Sequence, residues 1–420
     1  MVKIGILGVG TVGKSVAKIL KENSDIIEAR AGKKILVEAG VVRDLNKRRD
    51  IDIKLSSNPY DILDNSEIDI VVELMGGVDE PYRLVKEALK RGKAVVTANK
   101  ALLAYHRYEL QEIAKEIPLM YEASTAGGIP IIGALKSGLS ANHILSIQGI
   151  MNGTTNYMLT KMIKDGAEYS SVLKEAQELG YAEADPTFDV GGFDTAHKLL
   201  ILASLAYGID AKPEDILIEG IERISTVDVS FANEFGYEIK LLGIAKKAQN
   251  GVELRVHPTM IDKDSMIAKV DGVMNAVSVV GDAVGETMYY GAGAGGDATA
   301  SAVIADIVNI VRGDTTPMLG YKRGLEGKLE LLSQSDIVTN YYLRMEVDDR
   351  SGVLAKITKV LGEFDISIES MLQKAHRVKN RVKLLFTTHK CTEAKIQNAI
   401  AKLKELDCIH QDIFMIRIEK

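Results

Sequence analysis

The chain begins with a short apolar run, Val2-Lys3-Ile4-Gly5-Ile6-Leu7, and passes at once into Gly8-Val9-Gly10-Thr11-Val12-Gly13. No other stretch limits the fold as tightly. Three glycines at this spacing, set between a strand and a helix, each answer a different steric demand. The first allows a tight turn, the second lets a pyrophosphate approach the backbone, and the third lets the helix pack closely on the strand. The phosphates then lie at the positive N-terminus of the helix. That helix is predicted over residues 11–20, with Val12, Val16, Ile19 and Leu20 on its buried side. GxGxxG alone is weak evidence, but after a strand and before a helix it reads as a dinucleotide site. Gly8, Gly10, Thr11, Val12 and Gly13 are therefore candidate cofactor-binding residues.

The pattern after this loop supports a parallel sheet. Strand-like runs at 35–42, 68–74, 94–97 and 119–121 alternate with helical segments at 81–90 and 108–116. The expected first domain is a Rossmann-type dinucleotide-binding domain over 1–130, completed by a helix at 298–311. The second strand ends near Val42, where an NAD site usually carries an acid for the ribose. Here Arg43 stands first and Asp44 follows, so a 2′-phosphate is favoured and NADP preferred, with NAD left open by Asp44. Lys47, Arg48 and Arg49 read as a solvated charge run.

From about Pro130 longer helices appear, at 131–139, 155–165, 169–178 and 193–207, with strand-like runs at 253–258 and 276–280. This predicts an α+β catalytic and dimerisation domain over 131–320, followed by a linker at 321–339. Residues 340–420 then read strand, helix, strand, strand, helix, strand, the ferredoxin-like βαββαβ order.

At 420 residues two or three domains are expected. A net charge of −6 leaves no basic footprint for nucleic acid. The two cysteines, Cys391 and Cys408, are too few for a disulfide framework and fit a reducing compartment. The first residues lack the regions of a secretory leader, and no apolar run reaches the roughly 20 residues of a membrane span. A cytoplasmic protein without membrane partners is expected.

The chemistry concentrates between Gly180 and Lys198. Glu183, Asp185 and Asp189 lie in a loop punctuated by glycine and proline. A helix follows with Asp194 and Lys198 one turn apart and an almost wholly apolar continuation to Ala206. A lysine at the wet end of a buried helix, near several carboxylates, suits an amine substrate and a proton. Asp185 reads as a turn opener before Pro186 and His197 as a packing residue. Asn152 suits a turn as well as a ligand.

Several of these stretches carry a family resemblance. Val72-Glu73-Leu74-Met75-Gly76-Gly77, then Gly92 through Ala104, Tyr121 through Pro130, Gly149 through Tyr157, and the Gly180–Lys198 segment closely resemble homoserine dehydrogenase. A departure is His106-Arg107, in an expected loop, where that family often has a glycine. The resemblance implies interconversion of L-homoserine and L-aspartate 4-semialdehyde with NAD or NADP. It implies Lys198 as proton donor, with Asp194 and Lys100 as its catalytic companions and Lys100 between nicotinamide and substrate. Glu183 and Asp189 are implied in the substrate site, with Gly153 and Thr154 covering it. Gly76 and Gly296 join the cofactor set. Glu122, Thr125, Gly127 and Ile129 are implied to hold a monovalent cation, usually sodium, largely through backbone carbonyls. A non-catalytic NAD(P)-binding amino-acid sensor is the alternative from another class, and the set Lys100, Glu183, Asp194 and Lys198 favours the enzyme.

The C-terminal part resembles an ACT domain through Asp349-Arg350-Ser351-Gly352-Val353 and Asp365-Ile366-Ser367-Ile368. Ser351 stands where that family usually has proline. The resemblance implies an amino-acid effector, threonine in a feedback role, with a ligand-free pairing module as the other reading. It also implies a homo-oligomer, dimer or tetramer. Removing the chain beyond about Thr339 is expected to leave an active, unregulated enzyme.

Overall fold

The computed structural model describes residues 1–324, 329–378 and 380–420, and all their side chains except those of 374–378. The chain divides into two compact units. The first comprises Met1–Gly153, Asp194–Asp215 and Val273–Leu329, and the second Thr154–Phe193, Ile216–Gly272 and Glu330–Lys420.

The first unit is built on a six-stranded parallel sheet. Its spatial order is Lys54–Ser56, Ile35–Val41, Val2–Leu7, Ile70–Glu73, Ala94–Thr97, Leu119–Met120. This is the doubly wound order 3-2-1-4-5-6, which places a topological switch point between Val2–Leu7 and Ile70–Glu73. Every residue of Ile70–Glu73 and Ala94–Thr97 is buried, as expected of strands covered on both faces. Helix Gly296–Val311 contributes Ala300, Val303, Ile307 and Val308 to the core shared with Ile4, Ile6 and Val16. Also in this unit, Met274–Gly281 pairs in antiparallel fashion with both Gly285–Ala292 and Ile144–Ile150.

In the second unit, Tyr237–Ala248 and Gly251–Asp262 form an antiparallel pair in register from Ala248–Gly251 to Tyr237–Asp262. Phe414–Glu419 joins Gly251–Asp262 in parallel. Val338–Asp348, Arg381–Thr388 and Ile368–Val378 follow in antiparallel order. The ferredoxin-like βαββαβ order is present, and its last strand also pairs with Gly251–Asp262, so the two strand groups form one continuous sheet.

Several elements differ from expectation. The helix predicted at 108–116 begins earlier and spans Lys100–Ala114, because Asn99 caps it by accepting from Leu102 N at 3.0 Å. His106 and Arg107 therefore lie in a helix, not a loop. Arg107 is 2 % exposed and donates to Ser204 Oγ at 2.5 Å and to the Ala104 and Ala211 carbonyls at 2.6 Å each. It braces the helix of Lys100 against the helix of Lys198. The strands Ile144–Ile150, Tyr237–Ala248 and Gly285–Ala292 were not legible. Tyr237–Ala248 carries helix-favouring Lys, Leu and Ala without strict alternation, so only its pairing makes it a strand. Residues 325–328 of the expected linker 321–339 lie outside the described residues. Within the rest, Val252 N donates to Glu330 O at 2.9 Å and Leu332 N to Val252 O at 3.0 Å. Among the described residues no helix is long and apolar enough to cross a membrane.

Candidate active site

A cleft of about 570 Å³ opens at the switch point of the parallel sheet, lined by Gly8, Gly10, Arg43, Arg49, Met75 and Gly76 among others. The three glycines divide their labour as the spacing predicts. Gly8 has φ +100°, and a Cβ there would stand 2.7 Å from the Leu74 carbonyl oxygen. A Cβ on Gly13 would stand 2.6 Å from the Gly8 carbonyl oxygen, so that glycine permits close helix–strand packing. A Cβ on Gly10 would meet nothing within 4 Å, and Gly10 caps helix Thr11–Glu22. The open approach to a helix N-terminus fits a pyrophosphate. Gly76 likewise faces open space, whereas a Cβ on Gly296 would stand 2.7 Å from Ser15 Oγ. Gly296 thus has a packing reason of its own.

Arg43 is exposed at the cleft. Asp44 is committed to its own turn, accepting from Asn46 N at 2.8 Å. Arg49 departs from the solvated run expected for it. It is half-buried and clasps the loop, donating to the carbonyls of Val9 at 3.2 Å, Asp44 at 2.7 Å and Lys47 at 3.0 Å. Spacing alone could not have shown this, because three adjacent basic residues look alike until the loop folds.

Helix Phe193–Tyr207 buries thirteen of its fifteen residues, including Asp194 and Lys198. Lys198 Nζ donates to Asp194 Oδ2 at 2.8 Å and to the Met151 carbonyl at 2.6 Å. Lys100 Nζ lies 2.7 Å from Asp194 Oδ1, and Asn152 Nδ2 donates to Asp194 Oδ2 at 2.9 Å. The structure thus brings Lys100, Asp194 and Lys198 together and adds Asn152 and the Met151 carbonyl. Burial opposes the charge on Asp194, but Lys198 and Lys100 hold its carboxyl well below the usual range. Lys100 keeps 36 % of its side chain exposed and Lys198 only 10 %. His197 is buried, edge-on to Tyr105 at 5.7 Å, and burial lowers its pKa. That matches a packing residue.

In the second unit, Thr154 Oγ1 donates to the Tyr181 carbonyl at 2.6 Å and lies 3.4 Å from Asp189 Oδ2. Asp189 sits in the short helix Thr187–Val190, and Glu183 is exposed in the loop before it. Asp185 accepts from Thr187 N at 3.1 Å and Thr187 Oγ1 at 2.7 Å, closing the turn it was expected to open. In the first unit, a Cβ on Gly153 would stand 2.7 Å from the Val273 carbonyl oxygen, so this position requires glycine for packing.

The loop of Glu122, Thr125, Gly127 and Ile129 is almost wholly buried. Ala126 and Gly127 have φ of +56° and +57°, a left-handed pair that bends the chain sharply. The Glu122 carboxylate accepts from Ile132 N at 2.8 Å and Gly133 N at 2.7 Å. The carboxylate is thereby spent on a helix N-terminus, and the Glu122 carbonyl accepts from Thr125 N at 3.5 Å. In the C-terminal part, Gly352 has φ +86° and caps helix Val353–Glu363, with open space where a Cβ would stand.

The fold and this geometry define a dinucleotide-dependent oxidoreductase that carries an ACT domain. Three family models agree: homoserine dehydrogenase, NAD binding domain, over residues 8–118; homoserine dehydrogenase over 130–308; and ACT domain over 341–408. The chain belongs to the homoserine dehydrogenase family. It is 55 % identical over 416 residues to the homoserine dehydrogenase of Helicobacter pylori, covering 99 % of this chain and 98 % of that one. It is 45 % identical to that of Pseudomonas aeruginosa, covering 100 % and 99 %. Among solved structures, a homoserine dehydrogenase from Thiobacillus denitrificans superposes with TM-score 0.94 at 46 % identity, covering 100 % of this chain and 98 % of that one. A hyperthermophilic archaeal homoserine dehydrogenase in complex with NADPH matches with TM-score 0.62 at 30 % identity, covering 73 % and 97 %.

Proposed function

We propose that the chain reduces L-aspartate 4-semialdehyde to L-homoserine, and catalyses the reverse, on the route to threonine, methionine and isoleucine. The observation that carries this reading is the set of two lysines on one buried carboxylate. A single ion pair would neutralise itself, and taking charges out of water is costly. A second cation leaves the cluster positive, which suits an oxygen that becomes anionic.

A bound dinucleotide would supply the hydride that the aldehyde carbon takes up. Gly8, Gly10, Thr11, Val12 and Gly13 would hold its pyrophosphate, Gly76 and Lys100 would line its path, and Gly296 would support the loop. Lys198 stabilises the developing alkoxide and delivers the proton to it. Asp194 fixes the lysine through one oxygen and Lys100 through the other. Glu183 and Asp189 would take the substrate's α-ammonium, and Gly153 and Thr154 would cover it. Arg43 supports NADP, since Asp44 is used within its turn. Backbone carbonyls of Glu122, Thr125, Gly127 and Ile129 would hold a sodium ion that stiffens the loop.

The parts at work are the dinucleotide-binding domain 1–130 with helix 298–311, the catalytic and dimerisation domain 131–320, and the ACT domain 340–420 beyond the linker 321–339. The ACT domain would bind threonine and lower activity in a cytoplasmic homo-oligomer. The test is a spectrophotometric assay of the purified chain with homoserine and either NAD⁺ or NADP⁺. Turnover is expected, faster at limiting NADP⁺, and absence of turnover with both despite tight cofactor binding would overturn the reading.

A further inference from the structure

Glu73 ends strand Ile70–Glu73 at the switch point of the parallel sheet, opposite Leu7 on one side and Thr97 on the other. It is completely buried. A carboxyl there needs a reason, because burial alone raises its pKa, to about 7 against the help of its donors. No opposite charge is among the groups that act on it, only Thr97, Asn99 and the Met75 amide.

Its hydrogen bonds reach two functional segments. One oxygen accepts from Met75 N at 2.7 Å, which shapes the Met75-Gly76-Gly77 turn lining the cleft. The other accepts from Thr97 Oγ1 at 2.5 Å, and Thr97 Oγ1 accepts from Asn99 N at 3.0 Å. Asn99 Nδ2 then donates back to the Gly77 carbonyl at 2.8 Å. Asn99 Oδ1 caps the helix whose first residue is Lys100. The ring of bonds therefore joins the cleft turn to the start of the Lys100 helix, and Glu73 is its only carboxylate.

We propose that Glu73 is a positioning residue that sets the cofactor turn and Lys100 in one register, so that dinucleotide affinity and turnover depend on it together. The inference rests on the reading that this cleft takes a dinucleotide and that Lys100 serves the reaction. An alanine leaves Met75 N and the Thr97 hydroxyl without their buried acceptor. A glutamine keeps an acceptor for Met75 N and can donate to Thr97 Oγ1, so it reverses that one bond but keeps the two side chains joined.

The experiment measures NADPH affinity by fluorescence titration, with kcat, KM and thermal midpoint, for the full chain and for Glu73→Ala, Glu73→Gln and Thr97→Val. Glu73→Ala is expected to weaken NADPH binding and lower kcat by about tenfold each, the scale of small misplacements at a site. Glu73→Gln should recover both to within about threefold of the unmodified chain. A purely structural role would lower the midpoint and leave both constants of the folded enzyme unchanged. Should Glu73→Ala not fold, Thr97→Val isolates the link to Asn99, and an unchanged kcat and affinity in that variant overturns the inference. Failure of the unmodified chain to bind NADPH at all would instead sink the underlying reading of the cleft.

Discussion

Two buried charge networks in this molecule are opposites. Around Asp194, two lysines share one carboxylate, and Lys100 keeps a third of its side chain open. Around Arg417, two carboxylates share one guanidinium that is fully buried. It donates to Glu393 at 2.9 and 2.6 Å and to Glu219 at 2.8 and 3.0 Å. The arginine's planar fork is saturated by two acids, as a structural anchor should be. The lysine cluster sets two cations against one carboxylate, both held on Asp194 at 2.7 and 2.8 Å. The difference therefore lies in charge balance rather than burial, since Glu219 is 38 % exposed and Lys100 36 %: one network saturates its cation and holds strand Phe414–Glu419 to the segment after Leu217–Ile218, and the other, as proposed, awaits an arriving anion.

The largest expected effect separates them by activity. Lys198→Ala should lower kcat by about 10²–10⁴, the usual worth of a positioned acid, while NADPH affinity stays near that of the unmodified chain. Steady-state kinetics with a parallel fluorescence titration decide this, and retained turnover would remove the proton-donor role. Arg417→Ala should do the reverse. Breaking a buried pair costs about 3–5 kcal/mol, so urea unfolding should shift strongly while the folded fraction keeps its catalytic constants. A variant that unfolds like the unmodified chain but loses turnover would erase the contrast.

A third test uses pH. Asp194 is held below its ordinary value, so its stabilising contribution is present above about pH 4 and is lost as pH falls through its folded value. Glu73 is raised to about 7, so the folded chain binds an extra proton between its unfolded value near 4.5 and 7. Stability from Glu73 therefore falls as pH rises through that window. Thermal midpoints from pH 3 to 8 should show Asp194→Asn flattening the acid side and Glu73→Gln flattening the neutral side. The smallest effect concerns selectivity: Arg43→Ala should raise the KM for NADP⁺ by about tenfold and leave that for NAD⁺ nearly unchanged, the loss of a charge-assisted contact. Equal changes for both cofactors would place 2′-phosphate recognition elsewhere.

The same comparison revises the separable C-terminal domain. Phe414–Glu419 pairs with Gly251–Asp262, Thr259 against Arg417 and Ile261 against Glu419. Arg255 also donates to Glu419 and Tyr342 to Asp228 at 2.7 Å. A chain ending near Thr339 would uncover a strand edge and leave Arg255 and Asp228 without these partners, so it is expected to aggregate rather than persist as an unregulated enzyme. Size-exclusion chromatography of that truncation checks this.

Much was legible from local pattern. GxGxxG has a steric meaning independent of the rest of the chain, and the Asp194/Lys198 spacing follows from 3.6 residues per turn. The βαββαβ order and the family motifs were equally local. What sequence could not show was which distant groups meet. Lys100 and Asp194 lie 94 positions apart and touch at 2.7 Å only because the sheet and the buried helix bring them together. Arg49 and its neighbours have the same charge, and the folded loop alone decides that one of them clasps Val9 while the others face water. Arg107 was expected in a loop because the cap that starts its helix, Asn99, stands nine residues before the segment read as helical. Local chemistry sets which residues can bind a phosphate, cap a helix or carry a proton. Only long-range packing, which decides what each buried polar atom finds beside it, settles which of them do.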